Sequence, residues 1–267
     1  MTDGLTCVYV LNLEPRYVRM ALTSLGSLRR FDPDVRVVIK VADHPQRIKD
    51  TNGERRSLFD LADDVEYLPP AGGDYFPANK TVLRTIDAER IAFIDADTIF
   101  FGSIRMLDRR FEQFDVAACP SPWVWRHGYR RSFAPDIYMP LNSGLVVMKR
   151  AFAHEWGTVN ATRPAELLKD PARGALIGWL RSVNKGAWPR GDLTFSELAW
   201  NGQWSVGLME LQDCYLLPRW PNEENPEVWL SAIVLHTYSH LWDACVERLR
   251  ECGWTDPHRL QSLAQTR

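Results

Sequence analysis

IAFIDADTIF, from Ile91 to Phe100, carries the strongest structural pattern in this chain. It begins with a short apolar run, typical of a buried strand, and then reaches Asp95-Ala96-Asp97. Side chains two positions apart on extended backbone share a face, so we expect both carboxylates to point to one place. Carboxylates held this close repel each other unless a cation lies between them. The stretch therefore predicts a strand that ends at the rim of a sheet, in a site for Mn²⁺ or Mg²⁺.

The composition is ordinary for a globular protein of 267 residues, with 45% hydrophobic and 25% charged residues. A formal net charge of -2 gives no general case for nucleic acid as a partner. The five cysteines are scattered and the start of the chain does not resemble a secretory signal, so we expect reduced thiols and a cytoplasmic location. Apolar runs are too short to span a bilayer, which leaves at most peripheral membrane contact. The oligomeric state is left open.

Strand and helix patterns alternate through the first half of the chain, which predicts an α/β fold of the doubly wound type. Pro15 suits the first position of a helix, and the apolar residues after it recur at helical spacing. We expect a mostly parallel central sheet with helices on both faces, and ligands at the carboxyl ends of its strands, where Asn12 and Asp43 lie. No glycine-rich turn follows the first strand, which argues against a Rossmann-type dinucleotide site. The predicted strands cover residues 6–13, 35–41, 65–68 and 90–94.

Two strand patterns in the second half end or begin with polar residues. Leu141-Asn142-Ser143-Gly144 is predicted to be a polar turn that leads into a buried strand at 145–148, and its amide and hydroxyl groups suit hydroxyl-bearing ligands. Residues 228–235 are predicted to form a strand that ends in His236, whose imidazole suits a metal as its third ligand. His240 follows closely, and the sequence leaves open which histidine binds.

Taken together, these residues resemble the metal-dependent nucleotide-sugar glycosyltransferases with a GT-A fold. The nearest match is glycosyltransferase family 8, which includes glycogenin and bacterial lipopolysaccharide galactosyl- and glucosyltransferases. The resemblance runs from about Val8 to His236, and its centre is RIAFIDADTIFFGSI, Arg90 to Ile104. It implies one domain over residues 1–267, with a nucleotide-binding half at about 5–105, a donor and acceptor half at about 106–242, and a C-terminal helix and tail at 243–267.

The resemblance also implies roles for individual residues. Asp95, Asp97 and His236 are the expected ligands of Mn²⁺ (or Mg²⁺), which bridges the diphosphate of the donor. Lys80 is expected near the donor, in the helix before the D-x-D strand, and Asn142 lies near the donor sugar or the acceptor. The donor-binding set that the resemblance implies is Val8, Tyr9, Asn12, Tyr17, Lys80, Asp95, Ala96, Asp97, Asn142, Ser143 and His236.

Two motifs depart from the family pattern. The family commonly has an acid followed by glutamine near the reacting anomeric carbon, whereas this chain reads Gly191-Asp192-Leu193. Asp192 and Asn142 are the candidate catalytic residues, and Glu197 remains an alternative to Asp192. The family histidine also precedes a lysine that grips the diphosphate, and residues 236–242 contain no lysine. Arginines between Pro120 and Pro140 are our candidate replacements, namely Arg126, Arg130 and Arg131.

The reaction implied by the resemblance is hexose transfer from a nucleoside-diphosphate sugar, UDP-linked, to an acceptor hydroxyl with retention of configuration. The acceptor remains open between a sugar, a lipid-linked glycan, a protein and a small molecule. One alternative is a haloacid-dehalogenase-type phosphatase, because Asp95-Ala96-Asp97-Thr98 also fits its D-x-D-x-T motif with Asp95 as nucleophile. Another is a nucleotide-sugar binding or self-glycosylating protein with weak turnover. Nucleotidyltransferases are disfavoured because Asn12-Leu13-Glu14-Pro15 is not a glycine-rich phosphate loop.

Overall fold

The computed structural model describes residues 4–43, 53–68, 80–121, 139–162, 190–216 and 225–255. Its strands are β1 (Leu5–Leu11), β2 (Arg36–Val41), β3 (Asp64–Tyr67), β4 (Arg90–Ile94), β5 (Thr98–Phe100), β6 (Val116–Pro120), β7 (Leu141–Lys149), β8 (Val206–Leu208), β9 (Cys214–Leu216) and β10 (Val234–His236). Its helices are α1 (Pro15–Phe31), α2 (Glu54–Phe59), α3 (Ile104–Arg110), α4 (Arg150–Thr162), α5 (Arg190–Ala199), α6 (Pro226–Leu230) and α7 (Trp242–Glu251). Short 3-10 turns cover Val82–Thr85 and Ser239–Leu241.

Seven strands form one mixed sheet in the order β3-β2-β1-β4-β7-β6-β8. β3, β2, β1 and β4 are mutually parallel, whereas β7 is antiparallel to both β4 and β6. One core packs α1 and α3 against the sheet, and a second packs α4 and α5 against it through Trp156 and Phe195. Helices on both faces explain why β1 is buried along its whole length. The predicted α/β fold with a mostly parallel, doubly wound sheet is confirmed.

The strand directions bring distant segments to one edge of the large sheet. Because β7 runs antiparallel to β4, its amino-terminal end lies beside the carboxyl end of β4, and Leu145 pairs with Ile94. A second sheet has the order β5-β10-β9, and its antiparallel pairing sets His236 opposite Thr98. Because β5 begins directly after Asp97, this pairing places the end of β10 beside the D-x-D turn.

The strand predicted at 228–235 is wrong over most of its length. Residues Pro226–Leu230 form α6, and the strand is limited to Val234–His236. Asn225 caps the helix by accepting a hydrogen bond from the Glu227 N–H, and Pro226 occupies the first turn, where no donor is needed. A short apolar run is compatible with either a strand or a helix, and here the Asn225 cap stabilises the helix.

The polar turn predicted at Leu141-Asn142-Ser143-Gly144 is also wrong, because these residues belong to β7. All of them are buried, and Leu141 pairs with Pro120 of β6. Asn, Ser and Gly are typical turn residues, but pairing with neighbouring strands overrides that local preference. Among the described helices, none has the length and apolar character that crossing a membrane requires.

Candidate active site

Asp95, Asp97 and His236 form a cluster at the edge where β4 and β10 end. Each offers one ligand atom, and these atoms all lie within 4.8 Å of one another. Nε2 of His236 lies 3.3 Å from Oδ1 of Asp97. Neighbouring ligand atoms around an octahedral Mn²⁺ or Mg²⁺ are about 3 Å apart, so this spacing fits such an ion. Two carboxylates and an imidazole are also a ligand set that suits Mn²⁺.

Gly144 provides the space in which this cluster forms. A Cβ atom at residue 144 would lie 2.6 Å from Nε2 of His236 and 2.9 Å from Oδ2 of Asp95. The Gly144 carbonyl also accepts a hydrogen bond of 2.7 Å from the Asp95 N–H, which ties the D-x-D turn to β7. Any side chain at this position would push apart two of the candidate metal ligands.

Backbone and hydroxyl hydrogen bonds hold the D-x-D turn on its other side. The Asp97 carbonyl accepts from the Thr237 N–H at 2.9 Å, which fixes Asp97 against the residue after His236. The Thr98 hydroxyl donates to the Asp95 carbonyl at 3.0 Å and lies 2.7 Å from the Ser24 hydroxyl of α1. The turn is therefore attached to both α1 and β10.

Lys80 places a buried cation beside the first aspartate. Its Nζ lies 3.2 Å from Oδ1 of Asp95 and 3.2 Å from the Ser143 carbonyl, and the side chain is 6% exposed. The ammonium also lies over the Phe93 ring, 3.4 Å from its centroid. Burial lowers the pKa of Lys80, and Asp95 opposes that effect by favouring the charged form. The site thus combines fixed positive charge with two carboxylates.

The charges in the cluster perturb one another. Burial disfavours a charged His236, but the hydrogen bond to Asp97 and the charges of both aspartates outweigh it and raise the pKa of His236 to about 9. Burial, together with the charge of Asp97, raises the pKa of Asp95, whereas Lys80 opposes the shift. A divalent cation in the cluster would relieve the repulsion between the aspartates and bind the neutral imidazole.

Asp192, in the first turn of α5, is the acidic candidate that reaches the site. Its Oδ1 accepts a hydrogen bond of 2.8 Å from the Ser143 N–H, and burial raises its pKa. Ser196, one turn later, donates its hydroxyl to the Asp192 carbonyl at 2.6 Å and accepts from the Leu141 N–H at 2.9 Å. These bonds fasten α5 to β7 and set Asp192 beside Ser143. Glu197 lies further along α5.

The structure also locates Asn142 and the two candidate histidines, His236 and His240. Oδ1 of Asn142 accepts a hydrogen bond of 2.9 Å from the Gly144 N–H, so this oxygen supports β7. His236 belongs to the cluster, whereas His240 is exposed and stacks on Tyr238 with ring centroids 5.8 Å apart. Of the two histidines, the structure brings His236 to the aspartates.

The residues expected near base and ribose are divided between core and surface. Val8 and Tyr9 are fully buried in the central strand, and the Tyr9 hydroxyl lies 3.0 Å from that of Ser24. Their side chains therefore pack in the core and present no surface to a ligand. Asn12 and Tyr17 are partly exposed at the end of β1 and the start of α1. Arg126, Arg130 and Arg131 lie outside the described residues.

Sequence reasoning missed three supporting residues, Thr98, Ser196 and Thr237. Thr98 directly follows the D-x-D triplet, and its hydroxyl was available as a signal. Ser196 lies one helical turn from Asp192, a spacing that places both on one face. Thr237 donates both its backbone N–H, at 2.9 Å, and its hydroxyl, at 3.3 Å, to the Asp97 carbonyl, and no local sequence pattern pointed to this contact.

Solved structures with this arrangement of elements include two glycosyltransferases. Mouse xyloside xylosyltransferase 1 matches with a TM-score of 0.52 and 12% identity, over 87% of this chain and 96% of that chain. The bifunctional glycosyltransferase WbbM matches with a TM-score of 0.53 and 12% identity, over 87% of this chain and 45% of that one. No family model and no curated protein matches the sequence. Identity at this level shows a shared fold, and the fold of this chain is that of the GT-A glycosyltransferases.

Proposed function

We propose that this chain is a metal-dependent glycosyltransferase that moves a hexose from a UDP-linked sugar to an acceptor hydroxyl. The observation that carries the proposal is the cluster of Asp95, Asp97 and His236 at the strand ends of a GT-A fold. Both similar structures above are themselves named as glycosyl- or xylosyltransferases. The choice of uridine and of a hexose rests on the family resemblance of the sequence.

Asp95, Asp97 and His236 would hold Mn²⁺ (or Mg²⁺), whose positive charge offsets the charge that develops on a departing nucleoside diphosphate. The chain contributes a braced arrangement, because the D-x-D turn is hydrogen-bonded to β7, to α1 and to the residue after β10. Lys80 adds a further fixed positive charge from beneath Asp95. Preorganised charges of this kind need little rearrangement during the reaction.

We propose that Asp192 and Asn142 lie at the reacting sugar. The Ser143 N–H fixes one carboxylate oxygen of Asp192, and Ser196 fixes the backbone that carries it. An acid oriented in this way is a strong acceptor for sugar hydroxyls. We also propose retention at the anomeric carbon, in which the acceptor hydroxyl gives its proton to the departing phosphate oxygen.

The acceptor class proposed for this site is a hydroxyl of a sugar, a lipid-linked glycan, a protein or a small molecule, and nucleic acid is not an expected partner. A cytoplasmic location is proposed because none of the five cysteines, all of which lie in the described residues, forms a disulfide. Residues 1–267 are proposed to act as one catalytic domain, since both halves contribute strands to the large sheet.

The phosphatase alternative is not supported. A nucleophilic Asp95 would be expected on the first strand of its domain, yet β1, β2 and β3 precede β4. The second acidic site of that mechanism is expected after a strand, whereas Asp192 lies in the first turn of a helix.

A donor-hydrolysis assay tests the proposal. UDP release from UDP-hexoses should require Mn²⁺ or Mg²⁺ and should fall by about 100-fold or more in Asp192→Asn, because a transition-state contact is lost. Asp87→Asn is the matched control, since the Asp87 side chain is 90% exposed and pairs with Arg150. Metal-dependent UDP binding without any hydrolysis or transfer would identify a binding protein instead. Equal activity with metal and with chelator would contradict the proposal.

A further inference from the structure

Two cysteines from different sheets meet beside the candidate active site. Cys119 lies near the end of β6 in the large sheet, and Cys214 begins β9 in the small one. The thiol of Cys119 donates a hydrogen bond to the Cys214 carbonyl at 3.3 Å, so its sulfur lies directly against Cys214. β9 in turn pairs with β10, where Leu216 lies opposite His236. The two thiols are therefore one strand away from a candidate metal ligand.

A pocket gives access to this pair. Its volume is about 640 Å³, and both cysteines lie in its wall together with Pro120, Met209 and Leu216. Thiols enclosed in a packed core are inert because reagents cannot reach them. A pocket of this size admits small oxidants such as hydrogen peroxide, although each cysteine has little exposed surface of its own.

The other three cysteines lack this combination. Cys7 and Cys245 have no exposed surface and belong to two different cores. Cys252 is exposed, at the end of α7. Of the five cysteines, all of which the structure describes, Cys119 and Cys214 are the pair that contact each other and also line a pocket.

We propose that Cys119 and Cys214 are a modification site, a dithiol that peroxide converts reversibly into a disulfide joining β6 to β9. The Cys214 thiolate attacks one oxygen of hydrogen peroxide, which breaks the O–O bond and gives a sulfenic acid, with hydroxide protonated to water. The Cys119 thiol then attacks that sulfur, forms the S–S bond and releases a second water. Two thiols and one peroxide thus become one disulfide and two waters.

The roles of the two sulfurs follow from the hydrogen bond that the Cys119 thiol donates to the Cys214 carbonyl, because this bond keeps the proton on Cys119. The neighbouring Cys119 side chain lowers the pKa of the Cys214 thiol, whereas Cys214 and burial raise the pKa of Cys119. Cys214 is therefore the thiol that reacts first, because the thiolate is the nucleophile, and Cys119 resolves the sulfenic acid. Reduction by a small dithiol such as dithiothreitol reverses the change.

Mass spectrometry of the full chain tests the proposal. A Cys252→Ser background removes the exposed thiol, and brief treatment with dilute peroxide should then reduce the mass by two hydrogen atoms. A tryptic digest should contain the Cys119 peptide joined to the Cys214 peptide, and dithiothreitol should separate them. The same treatment in denaturant should give a mixture of cross-links, because only the fold brings these two thiols together.

Two variants test which cysteines form the cross-link. In Cys119→Ser, the resolving thiol is absent, so Cys214 should be trapped as a sulfenic acid by dimedone and the two-hydrogen loss should disappear. Cys245→Ser is the matched buried control and should leave the cross-link intact. If either variant fails to fold, the joined peptide from the Cys252→Ser protein alone still decides the question. Peroxide-treated native protein in which both thiols remain alkylatable, or are oxidised singly without a joined peptide, would overturn the proposal.

Discussion

Gly144 lies where the side chains of Asp95 and His236 meet, so Gly144→Ala tests the geometry of the cluster directly. The new methyl group would lie under 3 Å from atoms of both residues, and the ligands must separate. We predict at least about a tenfold loss in Mn²⁺ affinity, because small displacements of ligands weaken metal sites by that order. Gly102→Ala is the control, since its nearest neighbours lie at 3.4 Å. Unchanged Mn²⁺ affinity in Gly144→Ala, measured by calorimetry, would refute the arrangement.

The raised pKa of His236 predicts that Mn²⁺ binding depends on pH. Without metal the imidazole is protonated below a pKa of about 9, whereas a metal ion needs the neutral form. Binding therefore releases a proton, and Mn²⁺ affinity should rise by up to about tenfold per pH unit until about pH 9. Calorimetry in two buffers of different ionisation enthalpy measures the released proton. Affinity that stays constant as the pH rises would show that His236 is not a ligand.

At the scale of elements, a chain of buried hydroxyls links β1, α1 and the D-x-D turn. The Ser24 hydroxyl lies 3.0 Å from that of Tyr9 and 2.7 Å from that of Thr98. Ser24→Ala removes the hydroxyl that both Tyr9 and Thr98 contact, while Thr98 keeps its bond to the Asp95 carbonyl, and the loss should lower the free energy of unfolding by about 1–3 kcal/mol. Tyr9→Phe removes only the hydroxyl at one end of this network and should lower the free energy of unfolding by less. Urea denaturation measures both, and a loss in Ser24→Ala no larger than that in the exposed control Ser231→Ala would count against the network.

Local patterns predicted the elements that depend on local causes. The apolar run before Asp95 forms β4, and the apolar residues at helical spacing after Pro15 lie in α1. Both were predictable because burial on one element imposes a regular spacing of apolar residues. The start of β7 was misjudged because Asn142-Ser143-Gly144 has turn composition, although Leu141 pairs with Pro120 of β6 and the Gly144 carbonyl accepts from the Asp95 N–H. Tyr9 was expected near the base and ribose because of the family resemblance, whereas its side chain is fully buried and its hydroxyl lies 3.0 Å from that of Ser24.

At the scale of the whole molecule, β7 lies between β4 and β6 and joins the two halves of the chain in one sheet. Neither half keeps a complete sheet without the other, so we predict a single cooperative thermal transition. Far-ultraviolet and near-ultraviolet circular dichroism should give the same Tm. Two resolved transitions would instead indicate that residues of about 5–105 and about 106–242 unfold as separate units.

The site could be predicted only in part from sequence, for a reason that belongs to the whole fold. Asp95 and Asp97 lie in one local motif, whereas His236 reaches them through pairing of β10 with β5. Asp192 reaches Ser143 because α5 packs on β7. These approaches depend on sheet order, which the local sequence does not encode, and the resemblance to a known family implied that His236 and the aspartates share a site.

The most direct test of the account is a calorimetric titration of UDP into the protein, with Mn²⁺ and again with a chelator. We predict binding that requires Mn²⁺, that disappears in Asp97→Ala, and that persists in the exposed control Asp87→Ala. Loss of one metal ligand removes the cation that bridges protein and diphosphate, so the two variants should differ clearly. No UDP binding at saturating Mn²⁺, or equal binding with chelator, would contradict the proposed donor site.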